Sequence, residues 1–360
     1  MGNYRAIQFA VVLSLLCAPL LVQAKQWQQE LKLIRAGIAD TDREIKSLSI
    51  ESLGAVGDKD SLGELKTALT DSSDSIRIKA AVALAKLGDN SGIPELRKIL
   101  RTKPKLSENP TPLERVKAVA RGTVRAEAAY SLGELHDSDS VPLLKEMLKD
   151  EDGRVADACL VAFGKLGSTT AKNDFVSALE STKQEVRAKS AEALGEIGDE
   201  SCIPALRKRL KDWNRDVKVA VALSLGKLKD RESVPAIKEL LWDKDEIVRE
   251  KASVALGLIG DKEAVSALQK VLEDSNGMVR IAAAGSLYKL GNSDGKDFLL
   301  RVLETTDRDA KLRALAALEK MASPKDVPAI EKLLNDQDKS IAIAAARTII
   351  ISQSHQQKTK

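Results

Sequence analysis

The sequence contains few aromatic residues, few histidines and few cysteines. Among its 360 residues are three Trp, three Tyr, four Phe, two His and three Cys. Aromatic rings supply much of the buried area in an ordinary core, so this core must be built from aliphatic side chains and small residues. Two histidines cannot form a multi-histidine metal site, and three cysteines cannot form a disulfide framework. The composition therefore disfavours a metalloenzyme and an all-β fold.

Net charge and local motifs give no indication of catalysis. The 57 Lys and Arg residues nearly balance the 53 Asp and Glu residues, which leaves a formal charge of +4. This balance argues neither for nor against a polyanionic partner. The sequence contains no Walker loop, no Gly-x-Ser-x-Gly turn, no Gly-x-Gly-x-x-Gly turn and no Cys-x-x-Cys pair. We therefore assign no catalytic, cofactor-binding or metal-binding residue and expect no cofactor.

The segment from Met1 to Ala24 has the pattern of a secretory signal peptide. Arg5 is its one charged residue, an apolar run follows from residue 10 to residue 22, and Ala24 ends a segment suited to signal peptidase. We predict cleavage after Ala24 and export to the periplasm or the medium, with no transmembrane span in the mature chain. Two alternatives remain open. Cys17 would be the acceptor in a lipoprotein, although no small residue precedes it, and the segment could also stay as an uncleaved anchor.

A repeat with a period of about 31 residues organises the rest of the chain. An anchor position follows a helix-ending aliphatic residue nine times, with one longer step between the second and third anchors, at Gly57, Gly88, His136, Gly167, Gly198, Lys229, Gly260, Gly291 and Ala322. A leucine stands twelve residues after every anchor, at Leu69, Leu100, Leu148, Leu179, Leu210, Leu241, Leu272, Leu303 and Leu334. Repeats of this length are typical of solenoid proteins.

Each repeat has the pattern of two helices joined by a turn. In one repeat, Val248, Ala252 and Leu256 recur at helical spacing, Gly260 is suited to the left-handed end of a helix, and a second apolar stripe runs on to Leu272. We call the helix before the anchor the first helix and the one after it the second helix. Such a hairpin cannot bury its own apolar face, so the hairpins must stack.

The predicted fold is an all-α solenoid of about nine 31-residue hairpins, spanning residues 41–339. Ile34 and Ile38 match a second helix alone, which makes residues 25–40 an N-terminal capping helix. Residues 340–351 match a first helix alone and form the C-terminal cap, while the polar residues 352–360 are expected to be a disordered tail.

The segment from Ile247 to Asp261, IVREKASVALGLIGD, resembles the HEAT repeat family, in particular the short HEAT-like repeats of the phycobilisome lyase type. The resemblance covers about residues 41–351 and implies a right-handed solenoid whose second helices line the concave face. The family includes scaffolds, adaptors, lyases and an iron hydroxylase, so fold alone does not select a function. The hydroxylases carry His-Glu pairs, whereas His136 precedes Asp137 here, so no metal site is carried over.

Two charged rows follow the repeat. Eleven residues before the anchors stand Lys46, Arg77, Arg125, Arg187, Lys218, Arg249, Arg280 and Lys311, interrupted by Ala156. One residue after the anchors stand Asp58, Asp89, Asp137, Asp199, Asp230 and Asp261. The HEAT resemblance implies that Asp and Arg rows link neighbouring repeats, and we expect these two rows to bind each other. The alternative is an anion-binding groove.

A third row lies on the second helices and is a candidate partner-binding surface. Its cations are Lys66, Arg97, Lys145, Arg207 and Lys238, each nine residues after an anchor. On a concave face they would favour an acidic protein or polysaccharide. The alternative, which we favour, is solvated helix surface, because Glu146 and Glu239 stand beside two of them.

The longer step between Gly88 and His136 marks an insertion at about residues 101–121. It carries six cations and two carboxylates, and we select Lys103, Lys105, Arg115 and Lys117 as candidate partner-binding residues. Thr111 and Glu114 form a capping-box pattern, with Pro112 in the first helical position, so an extra or lengthened helix should begin there. The insertion is either a binding element or a neutral surface excursion.

Two other features have alternative interpretations. Trp213 and Trp242 lie near the ends of second helices in consecutive repeats. If exposed they would form a hot-spot pair for a partner, and if tucked between hairpins, as we expect, they would only fill space. Cys159 and Cys202 occupy positions held by small residues in other repeats and are expected to be buried free thiols.

These observations favour a non-catalytic scaffold or adaptor that presents a curved groove to another protein in the cell envelope or outside the cell. Nucleic acid is an improbable partner, because the basic insertion lacks interleaved aromatic residues. The alternatives are an enzyme or enzyme subunit of the HEAT-like lyase or hydroxylase type, and a polyanion-binding module whose affinity would fall with salt.

Overall fold

The computed structural model describes residues 27–104, 106–319, 322–323 and 325–357, and among these residues it contains helices and turns without strands. The first helices of the repeats are α2 (Arg43–Val56), α4 (Asp74–Lys86), α6 (Pro112–Glu134), α8 (Gly153–Lys165), α10 (Gln184–Ile197), α12 (Arg215–Lys227), α14 (Glu246–Ile259), α16 (Gly277–Lys289) and α18 (Arg308–Leu318). The second helices are α3 (Leu62–Ala68), α5 (Ile93–Arg101), α7 (Val141–Met147), α9 (Thr169–Ala178), α11 (Ile203–Arg209), α13 (Val234–Leu240), α15 (Val265–Val271), α17 (Ser293–Val302) and α19 (Val327–Glu331). Two further helices, α1 (Gln28–Ala36) and α20 (Lys339–Gln357), stand at the two ends. The prediction of an all-α solenoid is confirmed.

Local sequence signals set the helix boundaries. In α14, the Asp245 carboxylate accepts a hydrogen bond from the Ile247 N–H, which caps the N-terminus. The helix ends at Gly260, whose φ of 80° is left-handed, as the repeat pattern predicts. His136 and Lys229 also adopt positive φ at their anchor positions. Eight of the nine anchors are therefore left-handed, whether or not glycine occupies the position.

The two ends of the chain pack against each other. Ile343, Ala346 and Ile350 of α20 form one buried apolar cluster with Ile34 of α1 and Leu53 of α2. Helix α20, which has the pattern of a first helix, thus stacks on α2. Helix α1 packs against α20 as the second helix of the same hairpin. The two half-repeats combine into a tenth hairpin, and the solenoid closes into a ring.

Polar contacts reinforce the closure. The Trp27 indole N–H donates to the Gln353 side-chain oxygen at 2.6 Å, and the Lys339 ammonium lies 2.6 Å from an Asp40 carboxylate oxygen. Arg308 bridges Glu44 and the C-terminal region. Three separate ion pairs or hydrogen bonds therefore join segments about 300 residues apart in sequence.

The predicted disordered tail was wrong for residues 352–357, because α20 continues to Gln357. The hydroxyls of Ser352 and Ser354 donate to backbone carbonyls of the same helix, and Gln353 is held by Trp27. Packing against α1 gives these polar residues the tertiary support that an isolated tail would lack. Residues 358–360 lie outside the described residues, as does the predicted signal peptide.

The insertion lengthens one first helix. Helix α6 has 23 residues, whereas α8 and α12 have 13 each. Thr111 and Glu114 form both hydrogen bonds of the predicted capping box, and Pro112 occupies the first turn. At the usual helical rise the ten additional residues extend α6 by about 15 Å. The prediction of a lengthened helix beginning at Pro112 is confirmed.

Candidate functional site

The cation row on the first helices connects each repeat to the next inter-repeat turn. The Arg187 guanidinium binds both oxygens of Asp212 at 2.8 Å and donates backwards to the Ser181 carbonyl. Burial alone would raise the pKa of Asp212, but the hydrogen bonds from Arg187 and the Asn214 N–H outweigh it and lower that pKa. Asp212 follows Arg187 by 25 residues. We call a contact between a row cation and an Asp at this separation a rung. The rungs are Lys46–Asp71, Arg125–Asp150, Arg187–Asp212, Lys218–Asp243, Arg249–Asp274 and Lys311–Asp336.

The expected pairing between the two rows was therefore wrong, although both rows do link repeats. The Asp residues after the anchors bind cations of the preceding second helix instead. Asp137 accepts a bidentate bond from Arg97 at 2.7 and 2.8 Å, Asp230 binds Arg207, and Asp89 lies 2.8 Å from Lys66. The protein therefore carries two ladders of ion pairs. The rungs form the first ladder, and the contacts between second-helix cations and the Asp residues after the anchors form the second. Two ladders are possible because successive repeats have turns at both edges of the ring.

Several candidate partner-binding residues belong to this second ladder. The Arg97 and Arg207 guanidiniums already have carboxylate partners and are only about one-third exposed. The Lys145 ammonium lies 5.5 Å from the centre of the Phe163 ring, within reach of a cation–π contact. Lys238 is half-buried on α13. Arg97, Arg207 and Lys145 therefore contact the next repeat, whatever else they bind.

The first helices line the central face of the ring, and the expectation that second helices do so was wrong. Arg313 on α18 lies 3.0 Å from Glu250 on α14, although α16 stands between these helices. Side chains of helices two repeats apart meet only where the helices converge, on the concave side. Neighbouring first helices also pair there, through Glu51–Lys79, Glu134–Lys165, Asp157–Lys189, Glu196–Lys227 and Glu319–Arg347.

The α6 extension presents an unpartnered apolar stripe. Leu113, Val116 and Val119 recur every three residues and are 62%, 65% and 55% exposed, and Leu106 beside them is 50% exposed. An exposed apolar face on a helix is typical of a surface that binds another protein. Arg115 and Lys117 are exposed on the same segment.

The other insertion cations are partly engaged. Lys103 lies 3.9 Å from Asp150, and Arg121 binds Asp74 and the Thr102 carbonyl. Arg115 donates to the Pro110 carbonyl at 3.2 Å. Lys105 lies outside the described residues.

The expected burial of the two tryptophans was wrong. Trp213 is 77% exposed and Trp242 is 59% exposed. Both stand in turns between a second helix and the next first helix, where the segment is too short to cover them. The Arg187 guanidinium lies 5.8 Å from the Trp213 ring centre. Because all first helices begin at this edge of the ring, the tryptophans share it with the α6 extension.

Consecutive first helices meet at seams, and the seams are of two kinds. At the α6/α8 seam a Cβ added to Gly133 would lie 2.7 Å from the Ala162 Cα, so the backbones are in close approach. At the α8/α10 seam a Cβ added to Gly164 would meet the Ile197 side chain, so a side chain separates the helices. Rungs are missing where the position of the rung carboxylate does not hold Asp, which occurs at Thr102, Ser181 and Thr305.

A cavity of about 490 Å³ opens at the α8/α10 seam. It is lined by apolar groups, among them Phe175, Val161 and Ala193, with Tyr130 and Glu192 at its sides. Sequence reasoning missed this cavity, although Ala156 and Ser181 signalled it by removing both partners of one rung. We call it the seam cavity.

The remaining predictions concern metals, membranes and thiols. Among the described residues no cluster of His, Cys, Asp and Glu has the arrangement of a metal site. No helix within the same residues combines the length and apolar character needed to span a bilayer. Cys159 and Cys202 are buried and unbridged, as predicted.

Comparison with known proteins agrees with this architecture. The family model described as HEAT repeats matches residues 31–107, 112–183, 173–257 and 243–319. Among solved structures, the complex of CpcE and CpcF of phycocyanin lyase from Nostoc sp. PCC7120 is 25% identical, with 60% of this chain and 94% of that chain covered and a TM-score of 0.45. Human deoxyhypusine hydroxylase in complex with glycerol is 20% identical, with coverages of 74% and 98% and a TM-score of 0.36.

An engineered protein is also 20% identical, with 90% of this chain and 99% of that chain covered and a TM-score of 0.34. No curated protein matches the chain. The low TM-scores of these solved structures carry no argument about function. The matched repeats, the stacked hairpins and the two inter-repeat ladders show that the chain belongs to the HEAT repeat family.

Proposed function

We propose that the protein is a non-catalytic ring scaffold that binds another protein through the edge carrying the α6 extension. The observation that carries this proposal is the exposed stripe of Leu113, Val116 and Val119 on a helix that projects beyond the ring. Helix-in-groove and helix-on-helix recognition use such i, i+3 anchors. Burying three large apolar side chains would supply the centre of an interface.

Charge selects the kind of partner. Residues 101–121 contain Arg101, Lys103, Lys105, Arg115, Lys117 and Arg121 against two glutamates. An acidic amphipathic segment would place its apolar side on the stripe and its carboxylates beside the cations, which favours encounter and register. Trp213 and Trp242 stand on the same edge and supply further apolar contact area.

Closure of the ring limits where a large partner can bind. A continuous open groove would offer the partner two free ends, whereas the ring offers its edges, its rim and its charged central face. The apolar stripe lies on one edge, and the central face is occupied by ion pairs between neighbouring repeats. Among the described residues, the edge thus carries most of the large apolar side chains that are exposed.

The test is partner capture compared across matched variants. Protein of otherwise wild-type sequence, carrying a photo-crosslinker at the exposed α6 residue Ala120, is incubated with envelope extract. The same is done with the triple variant Leu113→Ser, Val116→Ser, Val119→Ser and with the control Ala55→Ser, which alters an exposed apolar residue at the opposite edge, near the end of α2. We expect one crosslinked species with the wild type and the control, and at least about tenfold less with the triple variant.

Charge reversal of Lys103, Lys105, Arg115 and Lys117 to Glu should weaken the same crosslink and reduce its dependence on salt. Equal capture by the wild type and the triple variant would exclude the stripe as the docking site. Binding of the protein to a polyanion such as heparin, in place of a crosslinked protein, would instead favour the polyanion-binding alternative.

We also propose that this scaffold works outside the cytoplasm. Arg5, the apolar run that follows it and Ala24 support export with cleavage. N-terminal sequencing of the protein from fractionated cells should find Lys25 first, in the periplasmic or extracellular fraction. An intact Met1 in the cytosolic fraction would overturn this part of the proposal.

A further inference from the structure

The seam cavity has the size and lining of a small-molecule site. Its volume of about 490 Å³ lies within the usual range of ligand pockets. The apolar lining comes from α8, α9 and α10 and includes Val161, Phe175 and Ala193. The Tyr130 ring contributes from α6, and is 39% exposed. At this seam, Ala156 and Ser181 stand at the two positions that a rung would occupy.

The charges around this cavity do not balance. Of the two cations in its lining, Lys189 lies 3.4 Å from Asp157, and Arg154 makes a bidentate contact with Asp152 at 2.7 and 3.0 Å. Both the ammonium and the guanidinium group are therefore already compensated. The lining also contains the carboxylates of Asp174, Glu185 and Glu192. An excess of negative charge thus surrounds an apolar floor.

Two titratable groups respond to this environment. Burial raises the pKa of the Tyr130 phenol, and the negative charges of Glu196, Glu192 and Asp157 raise it further. Burial is also the largest cause of the raised pKa of Glu192, which the nearby cations Lys227 and Lys189 do not offset. A cation placed between these groups would relieve both effects.

We propose that the seam cavity binds a small organic cation with an aromatic or aliphatic body, such as a primary amine or a quaternary ammonium compound. The apolar body lies against Phe175 and Val161. The cationic group lies beside the Glu192 carboxylate and over the Tyr130 ring, where the ring quadrupole and the carboxylate both attract it. An anion of the same shape would meet three carboxylates. This site is separate from the protein-binding edge, so either proposal can fail without the other.

The test uses phenethylamine as the probe, with 2-phenylethanol and 3-phenylpropionate as its neutral and anionic analogues. Binding to the full mature chain is measured by calorimetry and by ¹H–¹⁵N chemical-shift mapping. We expect saturable phenethylamine binding with a Kd of about 1 mM or tighter, and at least about tenfold weaker binding of both analogues. The shifts should centre on residues 154–161 and 185–193.

Matched variants separate the cavity from the rest of the acidic surface. Glu192→Gln removes one charge and keeps the shape, and we expect about three- to fivefold weaker phenethylamine binding. Val186→Lys places a cation in the lining at an exposed position and should abolish binding. Glu200→Gln removes an exposed carboxylate outside the cavity and should leave the affinity unchanged.

Three results would overturn the proposal. These are absence of saturable binding to the wild type, equal affinities for phenethylamine and 2-phenylethanol, and shifts that map to the α6 extension or to the ring closure. A Glu192→Gln variant with unaltered affinity would also contradict it, since native shifts elsewhere in the spectrum would show that this variant is folded.

Discussion

Helix α8 has one tight seam and one loose seam, and the two sides of this single helix differ in three respects. Towards α6, Gly133 allows backbone contact with Ala162, and the Arg125–Asp150 rung crosses the seam. Towards α10, Ile197 separates the helices, no rung is encoded and the cavity opens. The buried apolar clusters divide on α8 as well, since Ala158 packs with α6 and Val161 packs with α10.

The difference shows how a repeat protein makes a site without a new structural element. A tight seam buries its row cation: the Arg125 side chain is 1% exposed and that of Asp150 is 2% exposed. Losing the two charged partners of one rung costs a connection but leaves space between otherwise regular helices. The loose seam therefore provides the cavity, and the tight seams provide the stability that permits it.

The largest expected effect comes from breaking the tight rung. Arg125→Met keeps most of the side-chain volume but leaves the buried Asp150 with only the exposed Lys103 ammonium, 3.9 Å away, which should cost about 3 kcal/mol in the free energy of unfolding. The matched change at a seam without a rung is Arg280→Met, because Arg280 donates to the Asp274 and Ser275 carbonyls and Thr305 stands at the position of the rung Asp. It should cost about 1 kcal/mol.

Urea unfolding followed by far-ultraviolet circular dichroism measures both losses. Similar shifts of the midpoint in the two variants would mean that the forward contact to Asp contributes little, and that backbone capping by the row cation holds the repeats together. Helix packing alone would then account for the difference between the seams.

The next effect tests that packing directly. Gly133→Ala would press a methyl group against the Ala162 backbone, and we expect a loss of about 1–3 kcal/mol. Gly164→Ala meets only the movable end of Ile197, so its cost should be offset by the helix-favouring effect of alanine, about 0.5–1 kcal/mol. Thermal unfolding should rank the two variants in this order.

Gly63→Ala is the control for helix propensity, because nothing lies within 4 Å of the added carbon. It should stabilise the protein slightly. If Gly133→Ala behaved like Gly63→Ala, the close approach of α6 and α8 would be excluded.

A smaller effect concerns the pH dependence of the free energy of unfolding. Burial raises the pKa of Asp150, but hydrogen bonds from Arg125 and the Asp152 N–H lower it by more, so the pKa in the folded chain lies below that in the unfolded chain. Asp150 therefore contributes stability above the unfolded pKa of about 4, and this contribution is lost as the pH falls through the folded pKa. Between about pH 5 and pH 3, the double variant Arg125→Met, Asp150→Asn should lose less stability than the wild type in parallel urea titrations. The difference should equal the contribution of Asp150. An unchanged pH profile would show that Asp150 is not a linked group.

The sequence was sufficient to predict the hairpins, their register and the lengthened helix at Pro112, because these depend on local signals that recur in every repeat. It predicted half-repeats at both ends but not that α1 and α20 complete one another. Closing a ring of ten requires each hairpin to turn by about 36° on average. That angle depends on how closely every seam packs, which no single repeat encodes.

The site was less predictable for the same reason. Predicting which cation row binds which Asp requires the distance between turns in neighbouring repeats. The sequence does not give this distance, so Asp137 was assigned to the wrong cation row. Exposure of Trp213 depends on the length of one turn, and composition says nothing about that. The seam cavity was readable in principle, because Ala156 and Ser181 have the same separation in sequence as the two partners of every rung.

The smallest expected effect, and the sharpest test of the comparison, is to give the loose seam a rung. In the double variant Ala156→Arg, Ser181→Asp, the new guanidinium is placed to donate backwards to the carbonyl of residue 150 and forwards to the new carboxylate, as Arg187 does with Ser181 and Asp212. Both positions are half-buried, so we expect a coupling free energy of about 0.5–1 kcal/mol in a double-mutant cycle.

The same variant should also narrow the cavity. Drawing α8 towards α10 reduces the space beside Phe175, so phenethylamine binding should weaken even though a carboxylate has been added nearby. The single variants are the controls, since neither contains a complete rung. If the double variant gained the coupling energy yet bound the amine as well as the wild type does, the missing rung would not be the cause of the cavity, and the separation of α8 from α10 would have to be attributed to Ile197 against Gly164.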